Sequence, residues 1–180
     1  MNEMGAKPAA KPIVQTKPGV APKPASTTME DRDLLEWPAF QELYRRIAAG
    51  CPPVGTFQDR NGRPFDVVAG LRPLDPPIDD AERDAQALGY DTLMMIGAIA
   101  RDDGRCHASL GLFLADTMPT VREKSLEVDV NHRRLRIGAG LFATALQGVR
   151  ERLGKTLVLS NVFSPAGERF AQWARGAGIL

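Results

Sequence analysis

Apolar residues recur along this chain with two periods, and the change from one to the other divides it. In "PAFQELYRRIAAG", Phe40, Leu43, Tyr44 and Ile47 fall at three- and four-residue intervals, the spacing of one helix face. Pro38 suits the first turn of that helix and Gly50 a C′ position. Thr28, with Asp31 three residues on, is a plausible N-cap for a helix before it, whose first apolar positions are Leu34 and Leu35. From Gly62 the pattern becomes strand-like. "RPFDVVAGLRPL" predicts a strand, followed by a Pro-rich turn and a short helix from Asp79 to Leu88. Two apolar runs around Asp102, Asp103 and Gly104 predict a hairpin. "EKSLEVDV" predicts another strand. Ile137, Leu141, Ala145, Val149 and Leu153 then recur every fourth residue, the stripe of a long helix. "KTLVLSNVF" predicts a strand and "PAGERFAQWARGAG" a last helix, with Pro165 at its start and Gly178 near its end.

The expected order is helix, helix, strand, helix, three strands, helix, strand, helix: a mixed α/β domain. Residues 1–28 stand apart. They carry Lys-Pro at Lys7, Lys11, Lys17 and Lys23, and proline favours extended polyproline II and builds no core. The expected organisation is a basic Pro-rich tail over 1–28, a helical segment over 29–61 and the mixed domain over 62–180.

Charge narrows the function. The 23 basic and 22 acidic residues nearly cancel, which argues against a protein that coats polyanions. Neither Cys51 nor Cys106 stands in a metal-type or redox-type spacing pattern, as expected for thiols in a reduced compartment. With only His107 and His132 as histidines, a zinc site is not expected. No run is apolar enough to span a bilayer and no secretory signal opens the chain, so the expectation is a soluble, intracellular (cytoplasmic) protein.

The stretch "LEVDVNHRRLRIGAGLF", Leu126 to Phe142, concentrates the chemistry. A strand runs into three arginines, two glycines and the start of a helix. First-turn amides have no intrahelical acceptor, the macrodipole is positive there, and the arginines add permanent charge. Such a place suits a phosphate or pyrophosphate. Gly138 and Gly140 equally suit a helix that packs close to a sheet. The lysine of a P-loop is missing, and so is the glycine spacing of a dinucleotide fold.

The element order and this stretch together resemble the GNAT superfamily of acyl-CoA N-acyltransferases, whose signature is roughly Leu-x-Val-x-Pro-x-Tyr-Arg-Gly-Arg-Gly-Ile-Gly. Leu126, Val128, Arg133, Ile137 and Gly138 match it without a gap, and His132 stands at the aromatic. The resemblance runs from about Phe65 to Leu180. It implies a truncated GNAT-like fold with a splay beside the strand's end, and acetyl-CoA as cofactor. Val128 and Val130 would face the pantetheine, while Arg133, Arg134, Leu135, Arg136, Ile137, Gly138 and Ala139 would surround the pyrophosphate. It also implies an amine acceptor, and Glu127 as a weak candidate for the catalytic base. By alternation Glu127 and Asp129 share a sheet face, where the bland alternative is a pair of solvated carboxylates.

The departures are specific. Arg134 and Arg136 replace glycines, and Val130 replaces a proline. Aligning the family's second signature puts Ala174 where a tyrosine commonly acts as general acid and Gly167 at its asparagine. The two strands that usually follow the last helix have no counterpart before Leu180, so a second copy or another protein is expected to cover a sheet edge. An N-acetyltransferase is therefore set against a silent GNAT-fold scaffold, like the short, eroded members among tailed-phage virion and internal core proteins. A nucleic-acid binder is a weaker third, because no aromatic residues are interleaved with the arginines.

Overall fold

In a computed structural model, residues 34–159 and 165–176 are described. All of them belong to one unit, Arg32–Leu180. After a 3-10 turn at Leu34–Glu36 the elements are α1 (Pro38–Gly50), β1 (Gly55–Gln58), β2 (Pro64–Pro73) and α2 (Asp80–Ala87). Then follow β3 (Thr92–Ala100), β4 (Cys106–Leu114), β5 (Thr120–Val128), a 3-10 turn at Val130–His132, α3 (Ile137–Leu153), β6 (Thr156–Val158) and α4 (Pro165–Gly176). The six strands among the described residues form one sheet in sequence order. Every neighbouring pair is antiparallel except β5 and β6, which run parallel with α3 as their crossover. That parallel pairing lasts for three residue pairs, Thr120 with Thr156 to Arg122 with Val158. β5 continues to Val128 beyond the last of them. The result is the mixed α/β fold of the GNAT-like kind that the resemblance implies; residues 160–164, which follow β6, lie outside the described residues.

The sheet is covered on both faces. On one, α3 buries Ile137, Leu141, Phe142, Ala145, Leu146 and Val149 against Phe65, Val67, Ile96, Leu110, Leu112 and Val121, and α4 adds Phe170 edge-on to Phe142. On the other, α1 sets Tyr44 against Val68 and Cys106, while Ala85 of α2 packs with Leu74, Tyr90, Leu93 and Phe113. α3 comes unusually close to the strands. A Cβ on Gly140 would lie 2.3 Å from the Phe57 ring, and one on Gly138 would lie 2.8 Å from Val128 Cγ2.

Several sequence expectations are corrected. The stretch 29–61, read as helical, contains β1; four residues with one large apolar side chain, Phe57, give too short a pattern to show a period. Thr28 and Asp31 lie outside the described residues, and Leu34 and Leu35 open a 3-10 turn instead of an α-helix. Gly50 is the last residue of α1, with Cys51 as the C-cap in extended conformation. Leu153, the last of the apolar stripe, is exposed. The strand expected over 123–130 begins at Thr120 and ends at Val128. Asp129 and Val130 thus leave the sheet, and the shared face expected for Glu127 and Asp129 does not form. Gly178 lies outside the described residues.

α2 is fastened by charge. Lys124 is the extra residue of a bulge in β5, where Gly111 pairs with Ser125 but Leu112 with Glu123. Its Nζ lies 2.7 Å from Asp79 Oδ2 and 2.6 Å from Glu82 Oε1, and Arg72 also donates to that fully buried Glu82 oxygen. The Ile78 amide donates to the other oxygen at 3.0 Å. Burial works to raise the Glu82 pKa, but these hydrogen bonds outweigh it and hold the carboxyl down at about 2. A depressed carboxyl contributes stability that is full above its unfolded pKa and lost as pH falls towards the folded value. Glu82→Gln is expected to lower stability by about 2–3 kcal/mol at pH 7, because it removes the carboxylate charge facing Arg72 and leaves Lys124 with Asp79 alone. The gap in melting temperature between parent and variant should close between pH 5 and pH 2.5. A gap independent of pH would show that the Glu82 charge is not what fastens α2.

Candidate functional site

The site is built where β5 ends and α3 begins. Leu126 and Val128 join the core beneath α3, so alternation turns Glu127, half-buried and paired with Ser109, to the opposite face. After Val128 the chain makes the 3-10 turn Val130–His132 and then spans only four residues before α3. Leu135 anchors that span. Its side chain packs on the core and its carbonyl accepts the Arg60 amide at 2.9 Å. Arg133, Arg134 and Arg136 are all exposed around it.

Arg134 has φ of 73° and Arg136 φ of 66°. These are the two of the signature's three glycine positions that this chain fills with arginine, so the backbone takes a glycine-like shape with side chains that resist it. The left-handed conformation costs an L-residue about 1–2 kcal/mol. Arg136 is the N-cap of α3 and makes no side-chain capping bond. The first-turn amides of Ile137, Gly138 and Ala139 consequently point into the loop without intrahelical acceptors. An anion there would meet three backbone donors, a positive helix end and up to three guanidinium groups.

The ten residues singled out from sequence have different places. Arg133, Arg134 and Arg136 line the loop, and Gly138 and Ala139 lie in the first turn of α3. The side chains of Leu135 and Ile137 belong to the core; the Leu135 amide and carbonyl are engaged by His132 and Arg60, which leaves the Ile137 amide for a ligand. Val128 fills the space that Gly138 leaves, so the glycine serves helix–sheet packing as well as access. Val130 sits in the 3-10 turn beyond the strand, away from the register expected for it. Glu127 is across the sheet from the loop. Ala174, at the position of the family's tyrosine, is fully buried on α4.

A second constellation was not foreseen. Asp129 is buried and is no solvated carboxylate. Its Oδ1 accepts the Asn131 amide at 2.9 Å, and its Oδ2 lies 3.0 Å from His107 Nδ1 and 2.7 Å from His132 Nδ1. His107 Nε2 lies 2.9 Å from Asp103 Oδ2, and His132 Nε2 lies 3.3 Å from Arg63 Nη1. Arg63 in turn donates to Asp102 and Asp103, closing a ring of side chains beneath the loop. Burial works to raise the Asp129 pKa, but the Asn131 amide and the two histidines prevail and hold it below the usual carboxylate range. One signal for this cluster was present in sequence: Asp129 and His132 are three apart. The other, His107, reaches it only through the β4–β5 register, in which the Asp129 amide donates to the His107 carbonyl at 3.0 Å.

No family model and no curated protein matches the chain. Among solved structures it is similar to an aminoglycoside acetyltransferase from an uncultured soil metagenomic sample. That match has 12% identity and a TM-score of 0.42 over 64% of this chain and 92% of that one. It is also similar to AAC(6′)-Iy in complex with the bisubstrate analogue CoA-S-monomethyl-acetylneamine, at 16% identity and a TM-score of 0.38 over 61% and 89%. For glucosamine-6-phosphate N-acetyltransferase from Arabidopsis thaliana the values are 12% and 0.38 over 60% and 90%. Identities this low leave ligands and activity to be argued from this chain's own residues.

The strained loop makes a direct prediction. Arg136→Gly relieves a left-handed arginine, and after the glycine's greater unfolded-state freedom is subtracted a gain of about 1 kcal/mol remains. The melting temperature should rise by about 2–4 °C. An unchanged or lower value in thermal unfolding would mean that position 136 carries no backbone strain.

Proposed function

We propose that the chain binds acyl-CoA and transfers the acyl group to an amine. The observation that supports this most is the left-handed backbone at Arg134 and Arg136, beside first-turn α3 amides with no acceptor among the described residues. Strain held in a ligand loop is ordinarily maintained by what the loop does. In this reading Arg133, Arg134 and Arg136, with the amides from Ile137 to Ala139, hold the pyrophosphate. The pantetheine runs along the backbone of Val128 and Val130, past the last β5–β6 pair at Arg122 and Val158.

Transfer then requires an amine nitrogen to attack the thioester carbonyl carbon, with the C–S bond breaking and the nitrogen losing a proton. Holding the two reactants together supplies much of the acceleration. Buried Ala174 has no proton to give, so the departing thiolate takes one from water. Glu127 as base would act from the face opposite α3. That same alanine favours a second reading, a GNAT-fold scaffold that binds without turnover; the structural likenesses give its virion form no support. Acyl transfer to a panel of amines separates the two.

Gly138→Glu is an ambiguous test, because its side chain would strike Val128 as well as repel phosphate. Arg133→Glu changes charge at an exposed position instead. Calorimetry should show saturable one-to-one binding of acetyl-CoA to the parent protein, weakened about tenfold or more by Arg133→Glu, or roughly 1.4 kcal/mol. A folded parent protein that releases no binding heat with acetyl-CoA would overturn the proposal.

A further inference from the structure

The chain's two histidines converge on one buried carboxylate. We propose that His107, Asp129 and His132 bind a divalent transition-metal ion, zinc by preference, through the two Nδ1 atoms and an Asp129 oxygen. The three ligand atoms lie within 4.8 Å of one another. Asp129 Oδ2 stands 3.0 and 2.7 Å from the two nitrogens. In a tetrahedral site with bonds of about 2.0–2.1 Å, neighbouring ligand atoms are about 3.3 Å apart. The two oxygen–nitrogen separations must widen by roughly 0.3–0.6 Å to admit the ion.

The surroundings are those of a metal-bound histidine. A ligating imidazole gives its other N–H to a carboxylate or carbonyl, which fixes the tautomer and the ring. His107 Nε2 faces Asp103 Oδ2 at 2.9 Å, and Asp129 is oriented by the Asn131 amide on its other oxygen. If His107 gives its one proton to Asp103, its Nδ1 and the Asp129 oxygen confront each other as lone pairs at 3.0 Å. A cation has to lie between them, either a second proton or a metal. Two imidazoles and one carboxylate select zinc and its transition-metal neighbours over magnesium or calcium. His107 and Asp129 are buried, whereas His132 is 26% exposed, so its side of the cluster is where an ion enters and where a fourth, water ligand fits. Arg63 must release His132 Nε2 on loading, since that nitrogen then carries a proton; Asp102 and Asp103 still hold the guanidinium. The ligands come from the start of β4, the end of β5 and the turn before the arginine loop. A bound ion would thus lock the base of that loop whether or not the loop holds acyl-CoA.

Untagged full-length protein, stripped with EDTA, is the material for the test; residues before Cys51 contain no histidine or cysteine to compete. Cobalt(II) should give visible ligand-field bands that saturate at one equivalent. Zinc should displace it with a dissociation constant at or below about 1 μM in competition with a chromophoric chelator. His132→Ala should weaken zinc by at least about tenfold, with the fold checked by circular dichroism. A parent protein that takes up neither metal overturns the proposal. So does a folded His132→Ala variant that binds zinc as tightly as the parent.

Discussion

The contact on which the rest of the site depends is the close approach of α3 to the sheet. Gly138 and Gly140 leave no side chain between helix and strands, and Val128 and Phe57 occupy the space. The helix end is thereby set beside the end of β5, with Leu135 and Ile137 drawn into the core next to it. Only four residues remain to join the 3-10 turn to the helix, and two of them take left-handed backbone to make the connection. Glycine would do this at less cost. Arginine at both places keeps the path and adds charge where the amides of α3 are bare.

Charge is arranged in layers around that loop. The arginines face solvent, and beneath them Asp129 is held between two histidines, with Asp103 and Arg63 completing the ring. On the far side of β5, Lys124 at the bulge is spent on Glu82 and Asp79 of α2. The strand that ends at the loop is thus fastened by the ion pairs of Lys124 on one flank and by the hydrogen-bonded Asp129 on the other. Among the described residues Arg133, Arg134 and Arg136 have no ion-pair partner.

Much of this was legible in the sequence, because long periodic elements announce themselves. α1, α2, the β3–β4 hairpin and the start of α3 fell where apolar spacing, Pro38 and Asp79 put them. What was hidden depended on register or on length. Four-residue β1 has no period to read. The end of β5 moved because Asp129 caps a turn through its side chain, an option alternation does not reveal. His107 meets Asp129 only through strand pairing with a bulge in it. The positive φ at Arg134 and Arg136 could be posed as a question from the glycines they replace, but only the backbone answers it.

Everything proposed for this site turns on whether the Arg133–Ala139 segment is an anion site for the pyrophosphate of acyl-CoA. The most direct measurement is a nitrogen-15 amide NMR titration of the full-length protein with acetyl-CoA. The largest shifts are expected on the amides of Arg134, Arg136, Gly138 and Ala139, with smaller ones at Val128 and Val130. Unchanged spectra, or shifts confined to other parts of the sheet, would contradict it.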